Sequence, residues 1–283
     1  MKHIYLDTSR IRDLANNRDV KYWKDIDDVL RAGDCSLVLS DWHLLEFSRG
    51  SITKDATVGY LDTLPSPSRK WAIQSYNMWK REVAAALDFV LTNKNLCAIQ
   101  IFQDSFIDTL HPKQKRKLQY NLQPFSIVRL LEVCKKFKMS LTLDQRMQKD
   151  INMIKKLKEN AAVWRNWRAV LYSHIRAYWP TQTKAGLIIK PIKSQITTMV
   201  EMAEKILPSL TFAVRLQRVK FSSSEGVERN DLYDEYHACY APYCDVIMHD
   251  EDTCRRVKKT GSTYASKFAS TPAEFLKIFA TIL

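Results

Sequence analysis

The chain has no CxxC pair, no internal repeat and no low-complexity tract, and none of its apolar runs reaches the roughly 18 residues that a membrane span needs. No basic, apolar leader precedes the first strand-like segment, so neither a secretory signal nor a membrane partner is expected. Six cysteines (Cys35, Cys97, Cys134, Cys239, Cys244 and Cys254) are scattered along the sequence. In a chain of this size they read as buried or free thiols of a cytoplasmic protein, which excludes a disulfide framework. Cys239 and Cys244 lie near His237 and His249, yet that spacing fits no common zinc motif. Strand-like alternation is also nearly missing, from about residue 60 to 220.

What is present is basic, and unevenly so. The 283 residues carry 44 Lys and Arg against 31 Asp and Glu, a net charge of +13. Residues 60–225 hold 28 basic against 12 acidic residues, whereas the flanks, 1–59 and 226–283, together hold 16 against 19. A basic surface beside a mildly acidic one suits a protein that grips a polyanion while carboxylates hold metal. With 46% hydrophobic residues the chain can bury a full core, as one domain with a large insertion or as two domains.

The hydrophobic pattern divides the chain the same way. Residues 2–6 are a β run that ends at Asp7, and a short helix follows to about Ala15. Tyr22, Trp23, Ile26, Val29 and Leu30 share one face of a helix over 20–32, which Gly33-Asp34 breaks. Ser36–Leu39 reads as a buried strand, and Asp41 as the N-cap of a helix carrying His43 and Glu46. From 60 to 225 the spacing predicts helices over 71–91, 99–110, 125–137, 143–179 and 195–219. After the polar joint 222–226, α/β rhythm returns. A helix runs from Asp231 to Tyr240, a strand over 245–248, a helix over 253–260, and a last helix has Pro272 in its first turn. The expected architecture is one α/β domain built from residues 1–59 and 226–283, interrupted by a basic all-α insertion over 60–225.

Acidic residues fall at the junctions of these elements. Asp7 follows the first strand, where an open parallel sheet forms its sites, although aspartate is also a good helix N-cap and Thr8 or Ser9 could cap instead. Glu46 lies within a helix behind the second strand. Asp231 and Asp234 sit in a helix's first turn, so one is spare if the other caps. Asp245 begins the last strand, and Asp250, Glu251 and Asp252 follow it. Clustered carboxylates with no balancing base are what hard cations such as Mg²⁺ or Mn²⁺ require.

The order of these pieces resembles the PIN-domain nuclease family. The resemblance is carried by Tyr5-Leu6-Asp7-Thr8-Ser9, by Leu37-Val38-Leu39-Ser40 with Glu46, by Asp234 with Ala238 and Ala241, by Asp245-Val246-Ile247-Met248-His249-Asp250, and by Ser270-Thr271-Pro272-Ala273-Glu274. It covers the two flanks and not the insertion. It implies a Rossmann-like parallel sheet with acids binding one or two Mg²⁺ or Mn²⁺ ions, and hydrolysis of phosphodiester bonds, most often in RNA. By motif match Asp7, Glu46 and Asp234 would be the catalytic and metal-ligating core, with Asp250 as the fourth acid. His249 stands where the family often has threonine, so Asp250, Glu251 and Asp252 compete for that role. His43, His237 and His249 could assist proton transfer.

The insertion adds Lys113, Lys115, Arg116 and Lys117 as a compact basic cluster. Arg165 and Arg168 lie along a long helix with Trp164 and Trp167. Lys and Arg contact phosphates, and aromatics stack on unpaired bases or pack a helical core. The leading expectation is a metal-dependent endoribonuclease. The alternatives are a DNA nuclease and a non-catalytic nucleic-acid-binding or scaffold protein, and the insertion could instead meet an acidic protein partner or a second copy of the chain.

Overall fold

The computed structural model describes residues 1–49, 54–65, 68–92, 95–109, 126–136, 139–180, 190–222 and 229–283. In chain order the elements are β1 (Lys2–Leu6), α1 (Thr8–Asn17), α2 (Trp23–Ala32), β2 (Cys35–Leu39), α3 (Asp41–Arg49), α4 (Lys54–Thr63) and β3 (Arg69–Ala72). Then come α5 (Ser75–Thr92), β4 (Phe102–Gln103), α6 (Phe106–Thr109), α7 (Ile127–Lys136), α8 (Met139–Glu159), α9 (Ala161–Arg165) and α10 (Trp167–Ala177). The last are α11 (Lys193–Glu201), α12 (Ala203–Ile206), α13 (Pro208–Lys220), α14 (Arg229–Ala238), β5 (Val246–Met248), α15 (Glu251–Lys259), β6 (Phe268–Ala269) and α16 (Pro272–Ala280). Among the described residues no helix is long and apolar enough to cross a membrane.

The chain divides into a sheet unit, Met1–Gln74 with Ile101–Gln148 and Tyr243–Leu283, and a helical unit, Ser75–Gln100 with Lys149–Pro242. This differs from the sequence division at 59 and 225. Residues 60–74 and 101–148 belong with the sheet, because β3 pairs in parallel with β2, Leu37 facing Arg69 and Leu39 facing Trp71. The reading of 60–225 as wholly helical missed β3 and β4. Helix α14, which carries Asp234, falls in the helical unit.

The sheet has the order β4-β3-β2-β1-β5-β6, parallel throughout except for β4 at the edge. This confirms the α/β expectation. One face presents Ile4, Leu6, Leu37, Leu39, Val246 and Met248 to a core that includes Ile11 and Leu14 of α1, Ile26 and Leu30 of α2, and Phe275 and Phe279 of α16. Tyr5, Val38 and Ile247, pointing to the other face, are buried as well. Burial on both faces is why these strands read as continuous apolar runs.

Local chemistry fixes the helix ends. Helix α2 stops at Gly33, whose left-handed φ of 80° returns its amide toward the Leu30 carbonyl. At α16 the Thr271 hydroxyl takes the Glu274 amide while the Glu274 carboxylate takes the Ser270 amide, with Pro272 in the first turn. Ser40, not Asp41, precedes α3, and the Ser40 amide donates to His43 Nδ1 at 2.9 Å.

In the helical unit α5 buries Trp79, Glu82, Val83, Ala86 and Leu87, an amphipathic stripe. The single helix expected over 143–179 is three helices, because Asn160 and Asn166 cap α9 and α10 through their side chains.

Candidate metal centre

Strand β1 is the turning point of the sheet. From it the order runs outward through β2 and β3 on one side and through β5 and β6 on the other. In open parallel sheets the crevice beyond the carboxyl ends of strands at such a switch point is where ligands bind. Leu6 pairs with Met248, so Asp7 and His249 leave the carboxyl ends of these neighbouring strands together. The Asp7 amide donates to the Met248 carbonyl at 3.0 Å, and the His249 amide to the Ala269 carbonyl at 3.0 Å.

Two aspartates at these exits are built alike. Asp7 caps α1, its Oδ1 accepting from the Arg10 amide and the Ser9 hydroxyl, each at 2.8 Å. Asp250 caps α15, its Oδ1 accepting from the Thr253 amide at 2.8 Å. The other oxygen of each faces one imidazole nitrogen. His249 Nδ1 lies 3.1 Å from Asp7 Oδ2 and 2.5 Å from Asp250 Oδ2. Capping therefore engages only one oxygen of the Asp7 carboxylate and leaves the other facing His249. The amino ends of α1 and α15 direct positive partial charge toward this point.

Asp7, His249 and Asp250 form a group that could hold a metal ion, their donor atoms all within 4.8 Å of one another. Carboxylates are ordinary ligands of a divalent cation, and the Oδ2 atoms of Asp7 and Asp250 are the ones placed to take it, whereas His249 Nδ1 stands 2.5 Å from Asp250 Oδ2, a hydrogen-bond distance shorter than the ~3 Å between adjacent ligands of an ion bound at about 2.1 Å. Burial pushes the Asp250 carboxyl up, but the hydrogen bond and charge of His249, with the Thr253 amide, hold it well below the usual carboxylate range. Arg10 lies beside the group, with Nε and Nη2 each 3.4 Å from the His249 carbonyl and Nη1 3.1 Å from Asp13.

The competing acids separate cleanly. Asp245 sits at the amino end of β5, where its Oδ2 accepts the His3 amide at 2.7 Å. Glu251 and Asp252 are exposed in the first turn of α15, Asp252 in an ion pair with Arg255. Asp250 alone of the three adjacent acids joins Asp7. Glu46 is half-buried on α3 and lies outside the group of three. Asp234 belongs to the helical unit, where its Oδ2 is 2.8 Å from Lys220 Nζ, so this acid does have a balancing base.

Sequence reasoning missed the placement of His249 and Arg10. A single histidine carries little signal by itself, but its position directly after a buried strand and before a capping aspartate is a readable one. His43 has a different part. It is fully buried, its Nδ1 takes the Ser40 amide, and its Nε2 lies 2.8 Å from the Leu6 carbonyl. The amide makes Nδ1 the acceptor, so Nε2 carries the proton and donates to Leu6, the residue before Asp7. That ties α3 to the end of β1.

Of the expected nucleic-acid contacts, Lys113, Lys115, Arg116 and Lys117 lie outside the described residues. Arg165 and Arg168 are exposed in the helical unit. Arg168 and Arg215 lie over the Trp167 ring, 5.5 Å and 4.6 Å from its centroid. Arg218 donates to the carbonyls of Trp164, at 2.8 Å, and Arg165, at 2.5 Å. Residues 155–220 hold 13 Lys and Arg against 3 Asp and Glu.

Compared with protein-family models, curated proteins and solved structures, the chain matches none of them.

Proposed function

We propose that the chain is a divalent-metal-dependent nuclease of PIN-like, Rossmann-like architecture whose substrate is RNA. The observation that carries this reading is the approach of Asp7 Oδ2 and Asp250 Oδ2 to His249 Nδ1 beyond the switch point of a parallel sheet. A Mg²⁺ or Mn²⁺ ion held by Asp7 and Asp250 would supply Lewis-acid polarisation of a phosphoryl oxygen and make water a nucleophile at neutral pH.

The chain's own groups do the rest. The Oδ1 hydrogen bonds to backbone amides lock both carboxylates in place, so ligand geometry is set before substrate arrives. The Arg10 guanidinium is held at the rim by Asp13 and the His249 carbonyl, where it can neutralise a phosphate oxygen. Arg165, Arg168 and the arginine-stacked Trp167 offer phosphate contacts and a planar surface for an unpaired base.

The full chain should cut RNA in Mn²⁺ or Mg²⁺ and stop in EDTA, with Asp250→Asn folded and inactive. The basic, tryptophan-bearing helical unit favours a second reading, a non-catalytic nucleic-acid-binding protein. Tight, salt-sensitive RNA binding without cleavage in any metal would select it.

A further inference from the structure

The sheet unit carries its bases unevenly. Residues 1–74 hold 11 Lys and Arg against 11 Asp and Glu. Beside that balance, four bases fall within five residues of α15: Arg255, Arg256, Lys258 and Lys259. The helix buries Thr253, Cys254 and Val257. Arg255 and Lys259, one turn apart, stand with Lys258 on its exposed side. A helix favours bases in its last turn, which accounts for Lys258 and Lys259 but not for Arg255, which lies before that turn. Arg255 pairs with Asp252, and Lys258 adds to the charge that lowers the Glu274 carboxyl. Pairs this exposed are screened by water, so a phosphate can exchange for the carboxylate. Like charges one turn apart repel one another, and an anion laid on this side of the helix relieves the repulsion.

Resting on the nuclease reading above, we infer that the exposed side of α15, with Arg255, Lys258 and Lys259, takes the backbone phosphates of the RNA strand next to the metal centre. The helix begins at Asp250, whose carboxylate caps it and faces His249. At 1.5 Å per residue Arg255 stands about 8 Å along the helix from that cap and Lys259 about 13 Å. At ~3.4 Å per phosphate of a stacked strand, the longer span is about four nucleotides. Charge is ordered along it, with Glu251 and Asp252 at the metal end and the bases farther on. A strand laid along α15 meets its cations beyond the carboxylates, not among them. A phosphodiester backbone suits this side better than a lipid surface does, because a helix lying on a membrane needs its apolar side free and that of α15 is buried. Lys and Arg read the charge of the backbone and not the identity of the base. The contact is distinct from that of Arg165 and Arg168 in the helical unit, since α15 belongs to the unit that carries the carboxylates.

Anisotropy of a labelled single-stranded RNA titrated with the full chain in EDTA, at several salt concentrations, tests this. Arg255→Gln with Lys258→Gln and Lys259→Gln should weaken binding about 10-fold and lower the salt slope by roughly 2, at about 0.7 per lost phosphate contact. Removing the same charge from exposed residues elsewhere on the sheet unit, as Arg18→Gln with Lys21→Gln and Lys24→Gln, should weaken it less than ~3-fold. In Mn²⁺ the α15 substitutions should raise KM for RNA more than they lower kcat. Unchanged binding in the α15 variant, or an equal loss in both variants, would overturn the inference and leave the nuclease reading standing. So would binding through α15 to phosphatidylserine vesicles in preference to RNA. RNA binding that depends on α15, without cleavage in any metal, would support the surface and overturn the nuclease reading. Failure of the wild-type chain to bind RNA would overturn both.

Discussion

In the sheet unit the key polar side chains stand at strand exits, where backbone amides hold one oxygen and the other turns toward a shared point. In the helical unit they lie in the core. Both Glu82 oxygens accept amides at the start of α13, from Ser209 and Leu210 at 2.9 Å, and Gln217 bonds Glu235 in full burial. Ser209 also links Trp79 to the Cys239 carbonyl. Burial pushes the Glu235 carboxyl far up and the His174 imidazole down, so the core of this unit favours the neutral forms. The difference teaches where charge is spent. The sheet unit gathers its carboxylates at strand exits, and the helical unit exposes charge such as Arg165 and Arg168. On the proposed function, chemistry would belong to the first arrangement and polyanion binding to the second.

The largest effect that would sharpen this contrast is on catalysis. Asp250→Asn keeps the cap, because asparagine caps as well as aspartate. It should lower metal-dependent cleavage by about 100-fold or more, as loss of a ligand exceeds loss of an outer-sphere partner. Its thermal melt should barely move. A matched loss of fold and activity would show that Asp250 acts only as a cap.

In the helical unit the same kind of change should act on stability instead. Glu82→Ala strands two buried amides at the start of α13 and should cost about 3 kcal/mol in urea unfolding. Glu82→Gln, keeping one acceptor, should cost roughly half as much. RNA cleavage per folded molecule should be unchanged in both.

Acid should also separate the units. His174 is buried, and its pKa falls from 6.5 to about 4. The unfolded chain takes up this proton near pH 6.5 and the folded chain does not until about pH 4. The contribution is therefore complete above pH 6.5 and is lost as pH falls toward 4, at about 1.4 kcal/mol per pH unit. Buried Glu235, pushed up, contributes with the opposite sign over the same range, so the slope is read as the difference in unfolding free energy between wild type and His174→Gln from pH 7 to 4.5. A difference that does not vary with pH would contradict the assignment to His174.

A smaller effect is expected for the basic surface. Arg165→Ala with Arg168→Ala should weaken RNA binding by about 10-fold and lower the salt slope by roughly 2, with no change in unfolding. Anisotropy titrations at several salt concentrations measure both quantities. The smallest effect concerns Asp7 itself. Asp7→Ala should cost about 1 kcal/mol of stability through the lost cap, and Asp7→Asn only a few tenths.

Much of the sheet unit was legible because its elements announce themselves locally. Val246–Met248 is an apolar strand between acids, and Thr271-Pro272 with Glu274 spells a capping box. Asp7 and Asp250 were legible as residues just past strand ends. Strand β3 was not, because Arg69-Lys70-Trp71-Ala72 carries two charges and its tryptophan merges with the helical spacing of α5. The pairing of Asp234 with Lys220 spans 14 residues across a helix and its connection, which no local pattern encodes. The role of Asp245 turned on a single boundary. At the amino end of β5 rather than the carboxyl end, it binds the His3 amide and lies away from Asp7. His249 was read from sequence as an aid to proton transfer; that its ring stands between Asp7 and Asp250 depends on the pairing of β1 with β5, which no local pattern encodes.

The most direct test of the account is cleavage of total RNA and of single-stranded DNA by wild type and Asp7→Asn, each with Mn²⁺, Mg²⁺ or EDTA. The account predicts metal-dependent cutting of RNA by wild type, abolished by EDTA and by Asp7→Asn, which still folds and binds RNA. Cutting that persists in Asp7→Asn or in EDTA would contradict it.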